Sequence, residues 1–266
     1  MIKKRYLLVA ILVLLMVVGV GCGQEQATKS KTTNTKTERQ EKKSPTKKTT
    51  KKNTKKTMLI DLKDSKKDKL VYYALGDSLS VGLFSNNQNS RFTTLFKDKL
   101  QQGTGKNVTE INNSSVGKTV TNFGLPNVQS LIDQNPDIVT IEFGTNDSAY
   151  GIDSKNLGDF TNNLDTLVQK VQSQTKAKIL LMTTWSPSDG QYIDNDAVYD
   201  RKIKEIGQKY NIPVIDLATI WRNNPKVTEN DLNYSQVYNR TKDNFHPNQL
   251  GHDKIAQLLY QTVKTK

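Results

Sequence analysis

Leu70-Val71-Tyr72-Tyr73-Ala74-Leu75-Gly76-Asp77-Ser78-Leu79-Ser80 is the stretch that decides the fold. Its first six residues are apolar and rich in strand formers, and a glycine-led turn follows at once, which is the pattern of a buried strand that stops sharply. Working outward, similar apolar runs occur at 108–111, 138–143, 179–182 and 214–217. Segments of helical spacing lie between them. Leu157, Phe160, Leu164, Leu167, Val168 and Val171 recur at steps of three and four, and Phe92, Leu95, Phe96 and Leu100 do the same after the Ser78 turn. Ile255, Leu258 and Leu259 mark a last helix, with Pro247 near its first turn, where a missing N–H costs nothing. Strands that alternate with helices predict an α/β fold: three layers, α/β/α, around a parallel sheet of five strands covered on both faces. In such sheets ligands bind outside the carboxyl ends of the strands. Ser78, the run 114–117, the run 144–147 and Thr184-Trp185 all follow predicted strands at that edge.

The chain of 266 residues divides into three kinds of sequence. Residues 1–22 carry Lys3, Lys4 and Arg5, then an apolar run from 6 to 20, then Gly21-Cys22, which is the layout of an export signal. Cys22 is the only cysteine, so no intrachain disulfide can form. Residues 23–69 are dominated by Lys, Thr, Ser, Asn and Gln and hold no aromatic side chain. Such a segment buries too little apolar surface to offset its ordering entropy, and a disordered tether is expected. Residues 70–266 are the folded domain.

The formal net charge of +13 sits outside that domain. Residues 23–69 hold sixteen basic and six acidic side chains, whereas 70–266 hold twenty of each. A nucleic-acid-binding domain carries its basic excess on the folded part, so that class is set aside. A lysine-rich tether suits contact with anionic lipid or a polyanionic wall polymer, or serves as a self-repelling spacer.

The candidate chemistry rests on Ser78, Asp243 and His246. A serine hydroxyl becomes nucleophilic when an imidazole takes its proton, and a carboxylate that orients the imidazole fixes its tautomer. Asp243-Asn244-Phe245-His246 places that carboxylate three residues before the histidine, and Pro247 biases His246 away from helical geometry. No His-Glu-x-x-His motif or cysteine pair is present, so neither metal nor cofactor is expected.

Four runs in order give the chain a strong resemblance to the GDSL-type, or SGNH, hydrolases: Gly76-Asp77-Ser78-Leu79, Ser114-Ser115-Val116-Gly117, Gly144-Thr145-Asn146-Asp147 and Asp243-Asn244-Phe245-His246. The resemblance covers residues 70–266 and implies a flavodoxin-like sheet. It implies Ser78 as nucleophile, Asp243 and His246 as its partners, and Ser78, Gly117 and Asn146 as oxyanion donors. Gly21-Cys22 at the end of the apolar run resembles a bacterial lipobox, which implies lipidation at Cys22; an uncleaved signal anchor is the other reading of that segment. The expected function is an extracytoplasmic serine esterase of small acyl esters, lipid or acylated wall sugar, held at the outer face of the membrane. The alternative is a surface-tethered binding protein for wall or lipid ligands on the same fold.

Three further features stay open at this level. His252, six positions after His246, is expected to pack or to face solvent. Trp185 fits either the core or a wall of the binding site. Residues 222–242, polar and carrying Tyr234 and Tyr238, fit a lid or a long connection.

Overall fold

The computed structural model describes residues 56–187 and 193–266. Its elements, in chain order, are α1 (Met58–Lys63), β1 (Lys69–Gly76), α2 (Ser78–Val81), α3 (Phe92–Thr104), β2 (Asn107–Ser114), α4 (Val128–Asp133), β3 (Ile138–Glu142) and α5 (Thr145–Ser148). They continue with α6 (Ser154–Gln174), β4 (Lys178–Met182), α7 (Ile193–Tyr210), β5 (Val214–Ile215), α8 (Ala218–Trp221), the small hairpin β6 (Tyr234–Ser235) and β7 (Arg240–Thr241), and α9 (Gln249–Thr265).

All five predicted strands form, and they pair in parallel in the order β2-β1-β3-β4-β5. Strand alternation sends successive side chains to opposite faces. Leu70, Tyr72, Ala74, Leu180 and Met182 pack on one face with residues of α3, α8 and α9. Tyr73, Leu75, Val139, Ile141, Ile179 and Leu181 pack on the other with residues of α4, α6 and α7. The chain leaves β1 towards one face through α3 and leaves β3 towards the other through α6. This divergence makes the carboxyl ends of β1 and β3 the topological switch point, where α/β sheets bind ligands.

The structure corrects the predicted start of the folded part. Residues 58–63 lie in the stretch predicted to be a tether, yet they form α1, capped by the Thr57 hydroxyl, which accepts the Ile60 N–H. Leu62 is buried, Met58 and Leu59 pack against the core, and Met58 N donates to Lys266 O at 2.6 Å. A helix of six residues is too short to show a period, and tertiary burial, not propensity, stabilises it. The remainder of the predicted tether, and residues 1–22 with Cys22, lie outside the described residues. Among the described residues, no helix is long and apolar enough to cross a membrane.

Strand β2 also runs further than its apolar stretch, through Asn112, Asn113 and Ser114. It is an edge strand, and its polar end serves the loops around it. Asn112 Nδ2 donates to Ser80 O at 2.7 Å, and Asn113 Nδ2 donates to the Tyr73 hydroxyl at 2.8 Å.

Candidate active site

Ser78 opens the one-turn helix α2 directly after β1, and Asp77 caps that helix by accepting the Leu79 N–H at 3.0 Å. Gly76 is required where the turn begins, because a Cβ there would lie 2.3 Å from Ser80 Oγ and 2.8 Å from Glu142 Oε2. The sharp turn leaves Ser78 Oγ facing the loop before α9.

That loop folds on its own aspartate. Asp243 Oδ1 accepts the backbone N–H groups of Phe245 (3.0 Å) and His246 (2.8 Å), a turn in which an Asp side chain replaces a backbone acceptor. The same carboxylate meets His246 Nδ1 at 2.9 Å through Oδ2 and 3.1 Å through Oδ1. A carboxylate only accepts, so Nδ1 carries the proton and Nε2 is the bare nitrogen. Nε2 lies 2.9 Å from Ser78 Oγ and accepts its hydroxyl proton. Burial pushes the Asp243 carboxyl up, but the hydrogen bond and charge of His246 outweigh it and hold the group below the ordinary aspartate value. The spacing of three residues is thus enough to make backbone turn and side-chain pair at once.

The residues expected as oxyanion donors lie on the loops tied to the Ser78 turn. Among the described residues, the Ser78 and Gly117 backbone N–H groups donate to no protein acceptor. Gly117 sits at φ +73°, the left-handed region glycine enters without strain. Its loop is tied to the Ser78 turn, since Ser115 N donates to Gly76 O at 3.2 Å. Asn146 Nδ2 donates to Asp77 Oδ2 at 2.8 Å and to Lys118 O at 3.0 Å, which fixes the amide between the two loops. In this state both of its protons are engaged, and turning towards an oxyanion means sharing one of them. Asp147 bridges the same loops, accepting from Val120 N at 3.2 Å and Gly144 N at 3.1 Å; burial raises its carboxyl to about 7.

Sequence reasoning missed several residues here. Phe84 stands edge-on to the His246 ring at 5.5 Å, and Phe245 does so at 5.3 Å on the chain side. Phe84 has φ +67°, uncommon for a bulky residue. Tyr238 packs edge-on to Phe84 at 6.3 Å, and its hydroxyl bonds Ser85. Asn230 Nδ2 donates to Asp243 O at 2.7 Å. The stretch 222–242 therefore braces the histidine loop, a role that only long-range contact reveals. Trp185 belongs to the core: it is fully buried, and Nε1 donates to Phe245 O at 2.8 Å, holding that loop from beneath. His252 is fully buried as well, so the surface option for it falls away.

Comparison with known proteins adds an independent line. Residues 74–254 match the family described as GDSL-like Lipase/Acylhydrolase. An arylesterase of Vibrio mimicus is 34% identical over 127 residues, a match that spans 47% of this chain and 60% of that protein's length. Among solved structures, a psychrotrophic esterase from Pseudoalteromonas sp. aligns with a TM-score of 0.56 at 23% identity, covering 73% of this chain and 96% of the other. An acetylxylan esterase from Geobacillus stearothermophilus aligns with a TM-score of 0.58 at 19% identity, covering 74% and 95%. A two-domain esterase active on acetylated mannans aligns with a TM-score of 0.59 at 23% identity, covering 74% and 50%. At these identities the structural likeness concerns the fold.

Proposed function

The chain belongs to the GDSL-like lipase/acylhydrolase family, and from that premise we propose that it is a serine esterase that hydrolyses carboxylic esters through an acyl-enzyme. The observation that carries the reading is the unbroken hydrogen-bonded line from Ser78 Oγ to His246 Nε2 (2.9 Å) and from His246 Nδ1 to Asp243 Oδ2 (2.9 Å). His246 takes the Ser78 proton as Oγ attacks the ester carbonyl carbon, and Asp243 stabilises the imidazolium that results. The carbonyl oxygen becomes an oxyanion, facing the Ser78 and Gly117 N–H groups and the Asn146 amide. Preorganised donors of this kind are each worth roughly 10²–10³ in rate. His246 then protonates the departing alcohol. Water, deprotonated by the same ring, attacks the acyl-enzyme and releases the acid, which restores Ser78.

Chemistry and company support a substrate class. Relatives of the fold include an acetylxylan esterase and an esterase active on acetylated mannans, and small acyl esters of sugars or lipids fit a site whose partners are a single serine and histidine. The layout of residues 1–22 supports work outside the cytoplasmic membrane, with Cys22 as the lipidation point and the lysine-rich tether as a leash near anionic lipid or wall polymer. A fluorophosphonate probe tests the core of the reading. Labelling of the wild type and not of Ser78→Ala is expected, and an unlabelled wild type would sink it. A p-nitrophenyl ester panel from acetyl to palmitoyl then ranks the acyl groups. For the tether, Cys22→Ala is expected to abolish lipid labelling in cells.

A further inference from the structure

Behind the nucleophile turn lies an acid that the reaction does not use. Glu142, the last residue of β3, is completely buried. Its Oε2 accepts two donors from the turn, the Asp77 backbone N–H at 3.2 Å and the Ser80 hydroxyl at 3.0 Å. Its Oε1 has no partner among the described residues. The missing side chain at Gly76 is what lets the carboxyl reach so close, since a Cβ there would stand 2.8 Å from Oε2. Asp77, next along, is also completely buried. Its Oδ1 takes the Leu79 N–H at 3.0 Å and lies 3.5 Å from Ser78 Oγ, and its Oδ2 takes the Asn146 amide at 2.8 Å. A continuous chain therefore runs Ser80–Glu142–Asp77–Asn146, from the back of the turn to an oxyanion donor.

We propose that Glu142 is a positioning residue for the oxyanion hole: it holds the Asp77 and Ser80 ends of the nucleophile turn, and through Asp77 it aims the Asn146 amide. The proposal rests on the serine-esterase reading. A buried acid with one oxygen unpaired contributes little to stability by itself, and an apolar residue of like volume would fill the same space without a desolvation cost. What an apolar residue cannot do is grip two donors of a tight turn. Charge points the same way. Two carboxyls buried side by side cannot both ionise without large cost, and burial raises both. The ionisable groups facing the pair are His246 across the cleft and Asp147 on α5. With one proton held by the pair, it carries a single negative charge beside the point where the oxyanion forms.

The test compares wild type, Glu142→Leu, Glu142→Gln and Ser80→Ala in p-nitrophenyl acetate hydrolysis and in reversible inhibition by an alkylboronic acid, which forms a tetrahedral adduct on the serine. Glu142→Leu is expected to lower kcat about 10–10²-fold with KM held within about twofold, because an oxyanion contact is made only in the transition state. Boronate affinity should fall in step with kcat. Glu142→Gln, the same shape with an acceptor and a donor but no charge, should recover kcat to within about threefold of wild type. Ser80→Ala, which removes one of the two donors, should lower kcat by about two- to fivefold. A Glu142→Leu variant of wild-type kcat, or one whose KM and kcat change while boronate affinity stays fixed, overturns the proposal. If Glu142→Leu does not fold, Ser80→Ala decides, and an unchanged kcat there overturns it too. A wild type that fluorophosphonate does not label defeats the esterase reading instead, so the two failures are separable.

Discussion

His246 and His252 stand six residues apart on the same approach to α9, and the structure gives them opposite environments. His246 precedes the helix, held out of helical geometry by Pro247, with a carboxylate on one ring nitrogen and a serine on the other. His252 lies inside the helix, fully buried, stacked on Phe92 at 6.0 Å. Its Nε2 donates to Leu83 O at 3.0 Å, and its Nδ1 has no partner among the described residues. Burial pulls its pKa down to about 4, so this ring is neutral near pH 7. An imidazole does acid–base work only where something accepts its charge; without a carboxylate, burial turns the same side chain into packing.

The comparison can be broken most directly at the Ser78–His246 pair. Ser78→Ala or His246→Asn should each lower kcat by at least about 10³-fold and leave the melting temperature nearly unchanged, checked by ester hydrolysis and calorimetry. Equal residual activity in His246→Asn and wild type would erase the distinction between the rings. Asp243→Asn comes next, with an expected loss of about 10²–10³-fold. Asp243 is half exposed on its outer side, and solvent can replace part of its hold on the ring.

His252 should show the reverse pattern. His252→Gln keeps an N–H donor but cannot titrate; kcat should stay within about twofold while stability at pH 7 falls by about 1–2 kcal/mol. Its pH dependence sharpens the contrast. The folded value near 4 lies below the reference 6.5, so the unfolded chain takes up a proton first. The wild type therefore holds this contribution above about pH 6.5 and loses it as pH falls towards 4, by at most about 3 kcal/mol. Asp147 and Asp196, raised to about 7 and about 6, act with the opposite sign over the same range. The difference between variant and wild-type urea midpoints, measured from pH 7 to pH 4, isolates the histidine. That difference should shrink as pH falls and change sign before pH 4, and a constant difference would show that His252 does not titrate with folding. The smallest effect is expected at Tyr238→Phe, which loses the bond to Ser85 but keeps the ring against Phe84. Activity there should stay within about threefold.

Much of this is legible in the sequence. The run 70–80 carries a strand, a glycine turn and the serine in one stretch, because strand composition and turn chemistry are local properties. Asp243 and His246 are legible for the same reason: their pairing is a turn three residues long. Less local features escaped. Six residues of α1 show no period, and their burial depends on the last helix and the core. Glu142 reads as one more residue of an apolar strand, since nothing nearby says that it faces a turn 65 positions earlier. Trp185 fitted core and cleft equally until the Phe245 carbonyl supplied its partner.

By itself, then, the sequence determined which residue types lie at the strand ends and in what order, because apolar periodicity and turn residues act within a few positions. The tertiary structure alone decided that Ser78 meets a histidine 168 positions away. It also buried His252 completely, and it set the buried acids behind the turn. Those outcomes depend on packing between distant segments, where burial and a single hydrogen bond decide whether a side chain reacts or merely fills space.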